Sequence, residues 1–369
     1  MKVGIDASRL RKKMTGIGRY TEGILARLER ELPEATFVLY ARRECIFVLP
    51  SSRWSVCCDT HPVLSRLPTT LWIHYRLGSF AKKDGLDVFW AANTLAPRKA
   101  GGFVPYVTTV HDLIHLLVPE TLSRHMRFAY RRWFRTDVLG ATRIVAISQG
   151  TSARLEQHLG RGADAIVLPA VPLLPLNRGL IEEVLAERGV RRPFLLTVGA
   201  PAPRKNLSSV VAAVGLLKSR GKLADYELVM AGAERRDKTG DPDGLPDSEP
   251  WIRPIGYVDD ATLANLYASA EVFVFPSLYE GYGMPVAEAR SLGCRVVTTD
   301  SPELREAGDS WVVYVAPTLE GVASGLEIAL SQPRPPSRVP GHDWEGASRI
   351  MALMLGQAAS HRKQSAQGL

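Results

Sequence analysis

The chain has 369 residues, 46% apolar and 23% charged, which is enough for two hydrophobic cores of ordinary size and too apolar for a disordered polymer. Its four cysteines, Cys45, Cys57, Cys58 and Cys294, have neither disulfide-framework nor metal-ligand spacing, so buried free thiols in a reducing cytoplasm are expected. No apolar run approaches the roughly 18 residues that span a bilayer, and Met1–Asp6 reads as a strand rather than a leader. Both features predict a cytoplasmic protein, soluble or peripheral on the inner face of the membrane.

In chain order, short β-rich runs alternate with helical stretches, the pattern of parallel sheets covered by helices on both faces. The expected fold class is α/β, with two Rossmann-like doubly wound domains. Strands are predicted at Lys2–Asp6, Thr36–Tyr40, Asp87–Ala91, Tyr106–Val110, Arg143–Ile147 and Ala165–Leu168, with an amphipathic helix at Thr21–Glu31. Proline and leucine then crowd Pro169–Pro175, so the first domain is placed at residues 1–172 and a linker region at 173–192, with a closing hinge expected near Pro172. The second domain, 193–342, has predicted strands at Phe194–Val198, Tyr226–Ala231, Val272–Phe275, Arg295–Thr298 and Trp311–Val315. Gly232–Pro250 is polar and reads as a long mobile loop. A last helix over 343–357 precedes a tail, 358–369, expected to be disordered.

The net charge of +8 is unevenly placed. Residues 1–170 carry 25 Lys+Arg against 14 Asp+Glu, a surplus of +11, and the remainder is at −3. The densest stretch, Arg124–Arg135, mixes arginines with Phe128, Tyr130 and Trp133 at helical spacing. Such a helix suits an anionic membrane surface, or else packs its aromatics into the core and solvates its arginines. No recognition motif accompanies the charge, so nucleic acid is not an expected partner.

The most informative segment is Phe275-Pro276-Ser277-Leu278-Tyr279-Glu280-Gly281-Tyr282-Gly283-Met284-Pro285-Val286-Ala287-Glu288. A buried strand leads into a glycine turn, and Pro285 suits the first helical position because its missing N–H would be unpaired there. Glu280 then lies at a strand's carboxyl end and Glu288 early in a helix whose N-terminus favours an anion. Two carboxylates beside an anion site fit a ligand with polyol ends and an anionic middle. Three further loops follow predicted strands. Thr15-Gly16-Ile17-Gly18-Arg19-Tyr20 offers backbone N–H groups to a phosphate but lacks the dinucleotide fingerprint G-x-G-x-x-G. With Arg42 and Arg43 after the second strand, it keeps an NAD(P)-dependent oxidoreductase as an alternative. His111-Asp112 ends the strand Tyr106–Val110, with Pro119-Glu120 beyond, and His115 is assigned to packing. Gly199-Ala200-Pro201-Ala202-Pro203-Arg204-Lys205-Asn206 sets an Arg–Lys pair on a stiff turn, suited to a diphosphate.

The 275–288 segment resembles the E-x7-E motif of retaining glycosyltransferases of family four, enzymes of the GT-B fold. The loops at Gly16, His111 and Arg204 resemble that family's donor-diphosphate loop, its H-D-x6-P-E segment and its P-R-K-N loop, the second found in bacterial mannosyltransferases of polysaccharide biosynthesis. The resemblance implies a deep interdomain cleft and a closing helix that returns to the first domain. It implies that Arg204, Lys205, Gly16 and Gly18 hold the donor diphosphate. Gly281, Tyr282, Gly283, Met284 and Pro285 would complete the donor pocket. Glu280 would hold the donor sugar and Glu288 the ribose, while His111 lies near the sugar and Asp112 orients its loop. Arg19, Tyr20 and Ser148 would lie on the acceptor side.

The implied reaction moves a hexose from a nucleoside diphosphate sugar, GDP-mannose in preference to UDP-glucose, UDP-N-acetylglucosamine or dTDP-rhamnose, with retention. The acceptor is expected to be a lipid-linked saccharide of cell-surface polysaccharide biosynthesis, with a soluble acceptor as the competing case. No cofactor or metal is expected. Asp241-Pro242-Asp243 has the form of a metal-binding Asp-x-Asp but lies in a polar loop away from any strand end.

Overall fold

The computed structural model describes residues 1–12, 14–97, 104–171, 174–199, 202–232, 249–337 and 343–367. The chain divides into two compact units, Met1–Ala170 with His342–Leu369, and Val171–Gly341.

The first unit is built on a seven-stranded sheet of β1 (Lys2–Asp6), β2 (Thr36–Ala41), β3 (Trp54–Cys58), β4 (Val88–Ala91), β5 (Tyr106–Val110), β6 (Arg143–Ala146) and β7 (Ala165–Ile166), in the order β3-β2-β1-β4-β5-β6-β7. Among the described residues the second unit has six strands, β8 (Phe194–Val198), β9 (Glu227–Ala231), β10 (Ile252–Gly256), β11 (Val272–Phe275), β12 (Val296–Thr299) and β13 (Val313–Val315), in the order β10-β9-β8-β11-β12-β13. Every strand pairing among the described residues is parallel. Both faces of such a sheet must be covered, and β4, β5 and β11 are accordingly buried along their whole length. Strand order reverses between β1 and β4 in the first sheet and between β8 and β11 in the second. A crevice opens outside the carboxyl ends at such points.

The helices used below are α1 (Gly16–Glu31), α2 (Arg124–Leu139), α3 (Gln149–Leu159), α4 (Leu207–Ser219), α5 (Asp260–Ser269), α6 (Met284–Ser291), α7 (Pro302–Ala307), α8 (Leu319–Ser331) and α9 (Trp344–Gln367). Although last in sequence, α9 packs on α1. Trp344 meets Tyr20 edge-on with ring centroids 6.1 Å apart, Ser348 Oγ donates to the Ile24 carbonyl at 3.2 Å, and Arg27 pairs with Glu345 at 2.8 Å.

Several expectations are corrected. Strands β3 and β10 were not predicted. β3 is a half-exposed edge strand, and β10 carries Pro254, which a strand tolerates at an edge where one side of the backbone needs no partner. The expected linker contains a helix at Ile181–Glu187, held in the second unit by Leu185 and Val190, 2% and 6% exposed. The expected disordered tail is helical to Gln367, because Ala358 and Ala359 continue the buried face of α9. The glycine loop at Gly16 is the first turn of α1, which therefore begins before Thr21. Cys45, Cys57 and Cys58 are part-exposed, and only Cys294 is buried. Helix α2 divides its aromatics: Trp133 and Phe134 enter the core, whereas Phe128 is 62% exposed among outward arginines. Pro172, Ala200 and Asp241–Asp243 lie outside the described residues, as does most of the predicted loop Gly232–Pro250. Among the described residues no helix is long and apolar enough to cross a membrane.

Candidate active site

In the second unit the loops after β8 and β11 flank the reversal point, and their polar residues meet. Pro203–Lys205 forms a single 3-10 turn. The Leu278 N–H donates to the Arg204 carbonyl at 2.8 Å, which ties this turn to the loop after β11. Asn206, left-handed at φ 53°, donates its amide to the carbonyls of Pro276 (3.3 Å) and Pro317 (2.8 Å), clamping three loops together. On this frame Arg204 Nη1 and Lys205 Nζ both donate to Glu280 Oε1, at 2.5 and 2.7 Å. Lys205 Nζ also stands 4.2 Å from the Phe275 ring centroid, a cation–π contact.

The electrostatics follow from crowding. Burial works to raise the Glu280 pKa, but the Lys205 and Arg204 charges overcome it and hold the carboxyl below its usual value. Burial pulls Lys205 below the ordinary lysine value against the attraction of Glu280. Glu280 is thus ionised at neutral pH, its charge shared between two donors that can also serve a diphosphate.

Glu280 leads into Gly281, Tyr282 and Gly283. Tyr282 is buried, and Gly283 at φ 107° precedes α6. A Cβ at Gly283 would lie 2.6 Å from Leu304 Cδ2, so both the backbone angle and the contact with α7 require glycine. Met284 is the first helical residue and Pro285 the second, one place later than predicted. Glu288, 6% exposed on α6, accepts from the Tyr267 hydroxyl of α5 at 3.3 Å. Behind it Arg290, 1% exposed, makes a two-pronged pair with Asp309 at 3.0 and 2.8 Å and fixes α6 to the segment before β13.

In the first unit the structure brings Tyr20 and His111 together beside the reversal point. Gly16 and Arg19 open α1. Gly18 is packed there, since a Cβ would come 2.7 Å from the Arg9 carbonyl. Tyr20 and His111 meet edge-on at 5.3 Å. His111 is 5% exposed and its Nε2 contacts the Ala92 carbonyl at 2.7 Å, so that nitrogen carries the proton. Burial lowers its pKa to about 4, which leaves a neutral imidazole at physiological pH. Asp112 Oδ1 accepts from the Ile114 N–H at 3.1 Å, a bond across the turn that follows β5. His115 packs against Tyr130 and Phe134.

Two of the residues expected on the acceptor side have structural duties. Tyr20 donates its hydroxyl to the Val167 carbonyl at 3.1 Å and is 1% exposed. Ser148, fully buried, caps α3 by accepting from the Thr151 N–H at 2.9 Å. Sequence reasoning did not assign roles to Asn206, Phe275, Tyr267 or Arg290. Asn206 alone carried a signal, as the asparagine of a turn before a helix.

Two doubly wound parallel units, with polar loops at the reversal point of each sheet, define the GT-B architecture. The fold matches sucrose-phosphate synthase from Thermosynechococcus elongatus with a TM-score of 0.65 at 15% identity, covering 100% of this chain and 98% of that one. It also matches Anabaena HepE, solved in complex with UDP-glucose, with a TM-score of 0.60 at 15% identity, covering 100% and 99%. The family model "Glycosyltransferase Family 4" matches residues 14–170 and "Glycosyl transferases group 1" matches 192–331. This chain belongs to the family 4 glycosyltransferases. It is 28% identical over 351 residues to the O-antigen chain mannosyltransferase B of Escherichia coli, covering 85% of this chain and 86% of that protein. Family membership removes the dehydrogenase alternative.

Proposed function

We propose that this glycosyltransferase moves mannose from GDP-mannose to a lipid-linked oligosaccharide acceptor in cell-surface polysaccharide biosynthesis, with retention and without a metal ion. The observation that carries the reading is the convergence of Arg204 and Lys205 on Glu280 at the reversal point of the second sheet. As the glycosyl–phosphate bond breaks, negative charge grows on the leaving diphosphate. Arg204, Lys205 and the N-terminus of α6 stabilise that charge without reorganising. Glu280 holds hydroxyls of the sugar and Glu288 those of the ribose. The neutral His111, anchored to the Ala92 carbonyl, positions groups by hydrogen bonding rather than by charge. The name of the Escherichia coli relative supports mannose, and the UDP-glucose complex of HepE supports a nucleotide-sugar donor.

A binding and hydrolysis screen over GDP-mannose, UDP-glucose, UDP-N-acetylglucosamine and dTDP-rhamnose, with EDTA present, tests donor and metal together. GDP-mannose is expected to bind most tightly and to be hydrolysed slowly. Preference for another donor overturns the mannose assignment, and activity abolished by EDTA overturns metal independence. NMR of the product's anomeric proton decides retention.

A further inference from the structure

Four arginines stand together where β1 and β2 end, and the donor chemistry does not use them. The two strands pair in parallel as far as Asp6 and Tyr40, and the Ala7 N–H donates to the Tyr40 carbonyl at 2.9 Å, so their following loops emerge side by side. One loop carries Arg9 and Arg11, the other Arg42 and Arg43. The Ile46 N–H donates to the Leu10 carbonyl at 3.2 Å and lays the second loop along the first. Arg9 Nε donates to Asn93 at 3.3 Å, and Arg42 Nη1 to the Leu67 carbonyl. Arg11 Nη2 and Arg42 Nε are enclosed without an acceptor among the described residues. Burial and the neighbouring arginines depress both guanidinium groups; Glu44 and Asp6 act on Arg11 in the opposite sense. Burial also raises the Asp6 pKa, which weakens it as a counter-charge. The same loop then turns apolar and outward, with Ile46 41%, Val48 85% and Leu49 39% exposed, while Phe47 packs on Trp54 at 5.6 Å.

Clustered cations with unused donors call for a multiply charged anion, and exposed aliphatic side chains beside them call for hydrocarbon. We propose that Arg9, Arg11, Arg42 and Arg43 bind the diphosphate of a lipid diphosphate acceptor, with Ile46, Val48 and Leu49 receiving the first part of its hydrocarbon chain. This rests on the lipid-linked acceptor proposed above and assigns that acceptor's head group to named residues.

Calorimetry with geranylgeranyl diphosphate, inorganic pyrophosphate and geranylgeraniol tests the site, using the full chain. Wild type is expected to bind the lipid diphosphate about tenfold more tightly than pyrophosphate and to leave the alcohol unbound. Arg11→Gln/Arg42→Gln weakens both anions about tenfold or more. Arg43→Gln and Val48→Ser change exposed side chains and preserve the fold. The first weakens both anions, and the second weakens the lipid diphosphate alone. Equal binding by wild type and the arginine variants overturns the proposal, as does pyrophosphate binding as tightly as the lipid. If phosphatidylglycerol vesicles bind through these arginines while geranylgeranyl diphosphate does not, the surface belongs to bulk membrane and the proposal fails. Lipid diphosphate binding without hydrolysis of any sugar nucleotide keeps this site and removes the donor reading; the converse result keeps the donor reading and removes this site.

Discussion

Glu280 Oε1 holds two cations, so its loss acts on both. Glu280→Gln leaves Arg204 and Lys205 facing each other without a counter-charge and removes an acceptor for sugar hydroxyls. Turnover is expected to fall roughly a hundredfold, with a smaller change in donor KM. Lys205→Ala is expected to lower turnover about tenfold or more and to raise donor KM as well, since the diphosphate contact it removes strengthens as charge grows on the leaving group. Wild-type kinetics in both variants would remove these residues from the site. His111 gives a pH prediction with a definite sign. Its folded pKa is about 4 against an ordinary 6.5, so below pH 6.5 the unfolded chain takes up a proton that the folded protein refuses. The associated stability is complete above pH 6.5 and is lost as the pH falls towards 4, to the extent of about 3 kcal/mol. Denaturant melts of wild type and His111→Asn across that window measure it: the variant's curve should be flatter by that amount.

At the level of elements, the start of α6 is the most constrained join in the second unit. Gly283→Ala places a Cβ against Leu304 in a backbone conformation that alanine resists, and should cost about 2 kcal/mol or more. Thermal melts and donor KM should shift together, because the same turn aims Glu280. Arg290→Ala removes the cation paired with the part-buried Asp309 and the tie between α6 and the segment before β13, and should cost about 3 kcal/mol, read from the denaturant midpoint. These elements differ in how plainly the sequence announces them. Tyr106–Val110, Phe194–Val198 and Val272–Phe275 are short apolar runs buried on both faces, and their residues alone locate them. Trp54–Cys58 and Ile252–Gly256 exist because a neighbouring strand accepts them, a long-range fact absent from local composition. The site divides likewise. Arg204, Lys205 and Glu280 stand in recognisable motifs, whereas the Asn206 clamp and the Arg290–Asp309 pair depend on loops brought together only by folding.

Charge is a property of the whole chain. A surplus of +11 lies in residues 1–170, where α2 turns Arg124, Arg127, Arg131, Arg132 and Arg135 outward with Phe128. Co-sedimentation with phosphatidylglycerol vesicles should be strong at low salt and lost near 1 M, where the screening length is about 3 Å. Phe128→Ser and Arg131→Gln/Arg132→Gln should each weaken it, and retention at high salt by the double arginine variant would contradict an electrostatic attachment. The return of α9 to α1 bears on how the protein is made. A ribosome delivers the first 170 residues early, yet the α9-facing side of α1, with Tyr20 and Ile24, stays uncovered until the final helix has been synthesised. The central unit, contiguous in sequence, can complete itself first. Vectorial synthesis therefore inverts the usual order in which the N-terminal part matures first, and the nascent chain carries an open apolar seam until the residues from Trp344 onward have been made.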